Sequence, residues 1–178
     1  MTGHPRAAAA ALAALTLAAC SPRPAADKTE PAPDAPTPTP AAPPAAQSAT
    51  VGGDGSPIQL SPLTAADREA NPLEGELGCG FSAGGPGPLL IAMGVVGSRD
   101  PAFGLVKVGD YVERVAAPGG FDGMLKGATF SGRGKTVTIA VTGPARGGGE
   151  SPPSPATLTY DRADGARRVI EGEWTCGP

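Results

Sequence analysis

Two glutamates, Glu171 and Glu173, stand two residues apart close to the last cysteine. On an extended strand that spacing puts both carboxylates on one face, and paired carboxylates are the machinery of glycoside hydrolysis. Here they alternate with Ile170 and Trp174, so the pattern also describes the solvated side of a strand, balanced by Arg167 and other basic residues across it. A second candidate is the run Gly127 to Thr136. Its Gly134-Lys135-Thr136 matches the end of a phosphate-binding loop, but the opening glycine would have to stand at position 129, which is threonine. The run also leads into a strand pattern, not into the helix whose N-terminus would cradle phosphate. It reads as a hairpin turn. Asp161 and Asp164 flank another turn, where aspartate is favoured for local hydrogen bonding. No Asp-x-Asp-x-Asp-Gly calcium loop occurs.

The first residues do a different kind of chemistry. Met1 to Arg6 carries one firm positive charge, and Ala7 to Ala19 is apolar except for Thr16. A mature membrane span needs ~20 apolar residues, so this run is too short, and charged head, apolar stretch and small residues together read as a secretory signal. The closing tetrad Leu17-Ala18-Ala19-Cys20 resembles the lipobox of bacterial lipoproteins. That resemblance implies cleavage before Cys20, a diacylglycerol thioether on its sulfur, and a membrane partner through this lipid. Ser21, where an aspartate would signal retention, implies by the same resemblance sorting to the outer membrane, facing the periplasm.

Residues 21–55 are rich in proline, alanine and threonine, lack aromatics, and hold their first branched aliphatic at Val51. Such a stretch cannot bury enough apolar surface to offset its chain entropy, and disorder is expected. Extended at ~3.1 Å per residue, it would reach on the order of 100 Å, a spacer that holds a folded head away from the membrane.

All seven aromatics lie beyond it: Phe81, Phe103, Tyr111, Phe121, Phe130, Tyr160 and Trp174. Roughly 120 residues, 56–178, suffice for one core. Their charges are mixed, with no basic block, which leaves nucleic-acid binding without an electrostatic footprint. Thr64 predicts the cap of a short N-terminal helix, with Asp67 in its first turn and Asn71-Pro72 ending it. The rest predicts strands. Leu77, Cys79 and Phe81 alternate onto one face, and Leu89 to Val96 is a continuous apolar run that predicts a buried strand. Phe103–Val108 and Tyr111–Val115 flank the turn Gly109-Asp110. Thr136–Thr142 puts Val137, Ile139 and Val141 on one side. Ala156–Arg162 and Ala166–Cys176 pair across Asp164-Gly165. Seven or so short strands predict an all-β fold, a small antiparallel barrel or sandwich. The glycine- and proline-rich stretch 143–155 predicts a long mobile loop.

With Cys20 acylated, two cysteines remain, each on the apolar face of a terminal strand of the head. Export to an oxidising compartment makes a Cys79–Cys176 disulfide the expectation. They are not in a C-x-x-C arrangement, and two thiolates alone do not complete a zinc site. The only histidine, His4, falls in the signal. The mature chain therefore holds no imidazole, which excludes Ser-His-Asp and Cys-His machinery as usually built. No cofactor is called for. Trp174, beside the expected disulfide, reads as core rather than as a stacking platform. The loops Phe81–Pro88 and Gly143–Pro155 are the better places to contact a partner, since loops on rigid scaffolds carry function.

The expectation is a non-catalytic module that binds a protein or envelope polymer, with a structural or assembly accessory of an envelope complex as the alternative. In architecture, and in the run Gly127 to Gly132 before a strand, the head also resembles the membrane-bound lysozyme inhibitors of bacterial envelopes, which would imply a hydrolase inhibitor. It departs from them where Lys135-Thr136 leads straight into Val137 without the Trp and Lys-Gly segment expected next. No inhibitory residue carries over.

Overall fold

Alternation in the sequence becomes alternation in burial. The computed structural model describes residues 48–178; the signal, Cys20 and the linker up to residue 47 lie outside them. In the segment Lys135–Val141, Val137 and Ile139 are buried, while Thr136 and Thr138 lie on the opposite face. β-branched residues at successive positions suit a pleated, half-buried surface.

In chain order the elements are β1 (Leu60–Ser61), α1 (Ala65–Ala70), β2 (Leu77–Ser82), β3 (Leu90–Gly94), β4 (Ala102–Val108) and β5 (Tyr111–Ala117). A 3-10 turn at Asp122–Met124 follows, then β6 (Thr129–Gly132), β7 (Lys135–Val141), β8 (Ser154–Arg162) and β9 (Arg167–Gly177). From β2 to β9 each strand pairs antiparallel with the next. β9 then pairs antiparallel with β2 and closes the ring. The fold is all-β: an eight-stranded up-and-down barrel, with β1 added to the far end of β4. Cys79 and Cys176 sit directly opposite each other on the closing seam and are disulfide-bonded. An eight-stranded barrel is narrow enough for side chains to fill. Phe81, Phe130, Leu158, Ile170 and Trp174 fill this one.

Three expectations change. Two strands are added: β1 has only two residues, and β6 carries a single buried side chain, Phe130, too little for a periodic signal. The apolar run from Leu89 is not buried on both faces. β3 stops at Gly94, Ile91 and Met93 point outward, and Val95 and Val96 are exposed. Ser154 and Pro155, expected in a loop, open β8, and Thr142 and Arg146 donate their amides to the carbonyls of Pro155 and Pro153 at 2.8 Å.

The chain also joins the fold earlier than residue 56. Val51 and Arg167 exchange both backbone hydrogen bonds, at 2.9 and 2.8 Å. Ile58, 1% exposed, enters the core, its amide bonded to the Thr50 hydroxyl at 2.8 Å and its carbonyl to Arg168. Arg162 bridges Asp54 and Asp164 at 2.7 and 2.6 Å. Residues 50–59 therefore cap the barrel at the β8–β9 turn. This end otherwise has the short turns Gly109-Asp110, Arg133-Gly134 and Ala163–Ala166, besides the β2–β3 connection. Gly109 and Gly165 take φ of 58° and 88°, which a turn of this kind reserves for glycine. The opposite end carries the longer connections 95–101, 118–128 and 142–153.

Between β1 and β2 the chain straps across the outer wall. Leu63 and Leu105 are buried yet stand outside the interior cluster, because this strap covers Leu105 on the outer face of β4. Arg114 donates to the Pro72 carbonyl at 2.8 Å, and Lys107 pairs with Asp67 at 3.0 Å. Thr64 caps α1 in a reciprocal box with Asp67, which satisfies amides the helix cannot. The Thr64 backbone amide first, then the Lys107 ammonium and the Thr64 hydroxyl, hold the Asp67 carboxyl down at about 2. Since the folded value lies below the unfolded one near ~3.9, this contribution to stability is present above that value and lost as pH falls through about 2. An NMR carboxyl titration should find the Asp67 midpoint near 2 with the Thr64 amide moving in step; a midpoint near 4 would sink the pairing.

Candidate functional site: a groove along the closing seam

Glu171 and Glu173 point outward from β9, opposite in parity to Ile170 and Trp174, and both are exposed. Their cross-strand neighbours are Thr157, and Pro155 with Ser82. Arg167 does not balance them; it binds Asp161 at 2.6 Å. Asp164 accepts from Arg162, from the Ala166 amide at 3.1 Å and from the Asp54 amide at 3.2 Å. It is the local organiser of the turn and of residues 50–59. Among the described residues, no group of three or more His, Cys, Asp or Glu could hold a metal ion.

The run Gly127 to Thr136 is a hairpin: β6, a turn with Gly134 at φ 69°, and β7. Lys135 shares the inward parity of Val137 and Ile139 and meets Glu113 of β5 at 2.8 Å. The Tyr160 hydroxyl donates to the same carboxylate oxygen at 3.3 Å. Burial, then the Glu113 charge, pushes the Tyr160 phenol far up, so it stays protonated. Cation and anion are matched and the phenol has its acceptor, which makes this cluster a polar seal at the mouth. The inward frame of Lys135 was readable in the sequence; its partner on β5 was not.

Trp174 is 2% exposed, its indole N–H donating to the Met124 carbonyl at 2.8 Å and its ring edge-on to Phe130 at 6.5 Å between centroids. It belongs to the core.

The concave feature of the wall lies over β2. Gly78 and Gly80 face outward there; the Met93 sulfur lies over Gly78, and Gly80, with open space above it, floors a trough of ~420 Å³. Pro88, Ile91 and Met93 form one flank; Thr175, Gly177 and Ser151 form the other. Ser82, Pro88 and Ser151 come from the two segments expected to contact a partner. Met93 lies directly opposite Phe103 of β4, 42% exposed, which lines a second hollow of ~400 Å³ with Pro72, Glu74 and Arg114. Ile91, Met93 and Phe103 thus make a continuous apolar strip between the two hollows.

No family model, curated protein or solved structure matches the chain.

Proposed function

We propose that the chain is a lipid-anchored module of the bacterial envelope that binds an envelope protein or polymer and catalyses nothing. The observation that carries the binding half is the strip Ile91–Met93–Phe103. The apolar run around β3 puts Ile91 and Met93 on the outer face, where the chain covers them only in part, and Phe103 beside them is 42% exposed. Apolar surface left uncovered beside a groove marks an interaction site. The packed interior supports the same reading, because both barrel ends are occupied by the chain and a partner must be met on the outside.

The anchoring half rests on the Ala7–Ala19 run and the Leu17-Ala18-Ala19-Cys20 tetrad. The described residues begin at the β8–β9 end, where Val51 pairs with Arg167. Replacement of the acylated sulfur tests the anchor: Cys20→Ala should move the chain from the membrane fraction to the soluble fraction, and native mass should show diacylglycerol with residues 1–19 removed. A native chain recovered from membranes with those residues still attached would overturn the anchor.

A hydrolase inhibitor of the lysozyme-directed kind is the second reading, favoured by one observation, the closed antiparallel barrel with a single disulfide. Normal lysis by purified lysozyme in the presence of excess chain removes it.

A further inference from the structure

We infer that the wall over β2 and β3 receives an extended, basic segment of a partner polypeptide, its backbone lying in the trough over Gly80. The inference rests on the binding reading above and names its occupant. The trough is an open hollow on the outer wall, lined along β2 by Gly78, Gly80 and Ser82. A compact ligand would need a closed pocket, whereas a floor of backbone beneath an apolar flank suits a chain that alternates its side chains. Residues of one parity would then rest on Ile91 and Met93.

Charge selects the sign. Glu171 and Glu173 form a ridge beside Ser82 and Thr175, Glu150 adjoins Ser151, and Glu74 lines the second hollow. All four are exposed, and among the described residues none is in an ion pair. Against them, Arg68 lines the trough itself, exposed and in no ion pair among the described residues, while Arg114 in the second hollow is engaged by the Pro72 carbonyl. Lysine or arginine of the other parity would meet the ridge, and potentials of this kind steer association and reject the wrong sign.

Gly80 provides the discriminating variant. A Cβ built there would meet its nearest atoms, the Leu90 carbonyl oxygen and Pro88 Cβ, at 3.8 and 3.9 Å, and its φ is not positive. Valine therefore fits the strand and fills the trough. The full-length chain, purified in non-ionic detergent, is titrated into fluorescein-labelled (Lys-Val)5 and into (Glu-Val)5, read by anisotropy. The cationic peptide should bind and the anionic one should not. Gly80→Val should weaken binding by about tenfold or more with no fall in thermal midpoint. Glu171→Gln with Glu173→Gln should weaken it by about fivefold at low salt, from two exposed pairs, and flatten its salt dependence. Equal binding of both peptides, or affinity unchanged in Gly80→Val, overturns the inference. So does a concentration-dependent dimer that Gly80→Val abolishes, which would give the wall to a second copy. A lipidated, membrane-bound chain that ignores the peptide's charge loses this inference and keeps the anchored-module reading; an unlipidated chain that discriminates the peptides does the reverse.

Discussion

Cys79→Ala with Cys176→Ala should lower unfolding stability by about 4–5 kcal/mol. The up-and-down order explains why so much hangs on one bond. Every pairing from β2 to β9 joins strands adjacent in sequence, so each hairpin closes a short loop. The β2–β9 seam alone must bring the two ends of the barrel together, and its cysteines are 97 residues apart. Closing a loop of ~100 residues costs the unfolded chain about 4.7 kcal/mol in the chain-entropy model. The disulfide removes that cost before folding begins. Urea unfolding is the measurement; with a slope of about 1–3 kcal/mol per molar, the midpoint should fall by about 2 M. Hydrogen exchange should localise the loss, with the amides of β2 and the second half of β9 exposed first and the β7–β8 hairpin retaining protection. A loss under about 1 kcal/mol would mean that packing across the seam holds the barrel by itself. The trough is floored by this same β2, so a seam that opens should also abolish binding of (Lys-Val)5.

What the residues disclose in advance is what is local. Val137 and Ile139 announce β7 by alternation, Gly109-Asp110 and Asp164-Gly165 announce their turns, and Thr64 with Asp67 announces the cap of α1. The disulfide is legible for a different reason: two thiols on the apolar faces of the first and last strands have few other uses. Closure into a barrel is not legible, because it depends on the non-local β2–β9 register, and no spacing in either strand encodes the other. The end of the linker is misplaced for a related reason. Val51-Gly-Gly-Asp-Gly55 looks like more spacer, and only the distant Arg162 and Arg167 give Val51 and Asp54 their partners.

The groove hides in two features that mislead when read singly. Glycines at 78 and 80 look like weak points in a strand, since a side chain is missing where one would pack. The unbroken apolar run at β3 looks like burial on both faces. Side by side on a wall, the same features are a channel and an apolar flank. Elsewhere on the wall, Thr129, Thr138 and Thr159 lie side by side across β6, β7 and β8 as an ordinary outward face. The departure from that rule at β2 and β3 is local, and it coincides with the unpaired carboxylates of β9.

Trp174→Ala should cost about 3–5 kcal/mol, the range for removing a large buried aromatic, while Trp174→Phe should cost about 1 kcal/mol by removing one of two N–H donors to the Met124 carbonyl, the Gly127 amide remaining at 2.9 Å. The indole closes the barrel end that carries the longer connections. It is 2% exposed, packs edge-on against Phe130, and ties the buried Met124 carbonyl down at 2.8 Å. Chemical denaturation gives both figures. The same pair of variants separates core from binding surface. As the sole tryptophan, Trp174 should emit at short wavelength and resist acrylamide, and saturating (Lys-Val)5 should leave its emission unmoved because the trough lies on the other side of the sheet. Trp174→Phe should bind the peptide like the native chain despite its lower stability. Emission quenched by the peptide, or binding lost in Trp174→Phe while the fold persists, would show that ligand reaches the interior and that the wall is not the site.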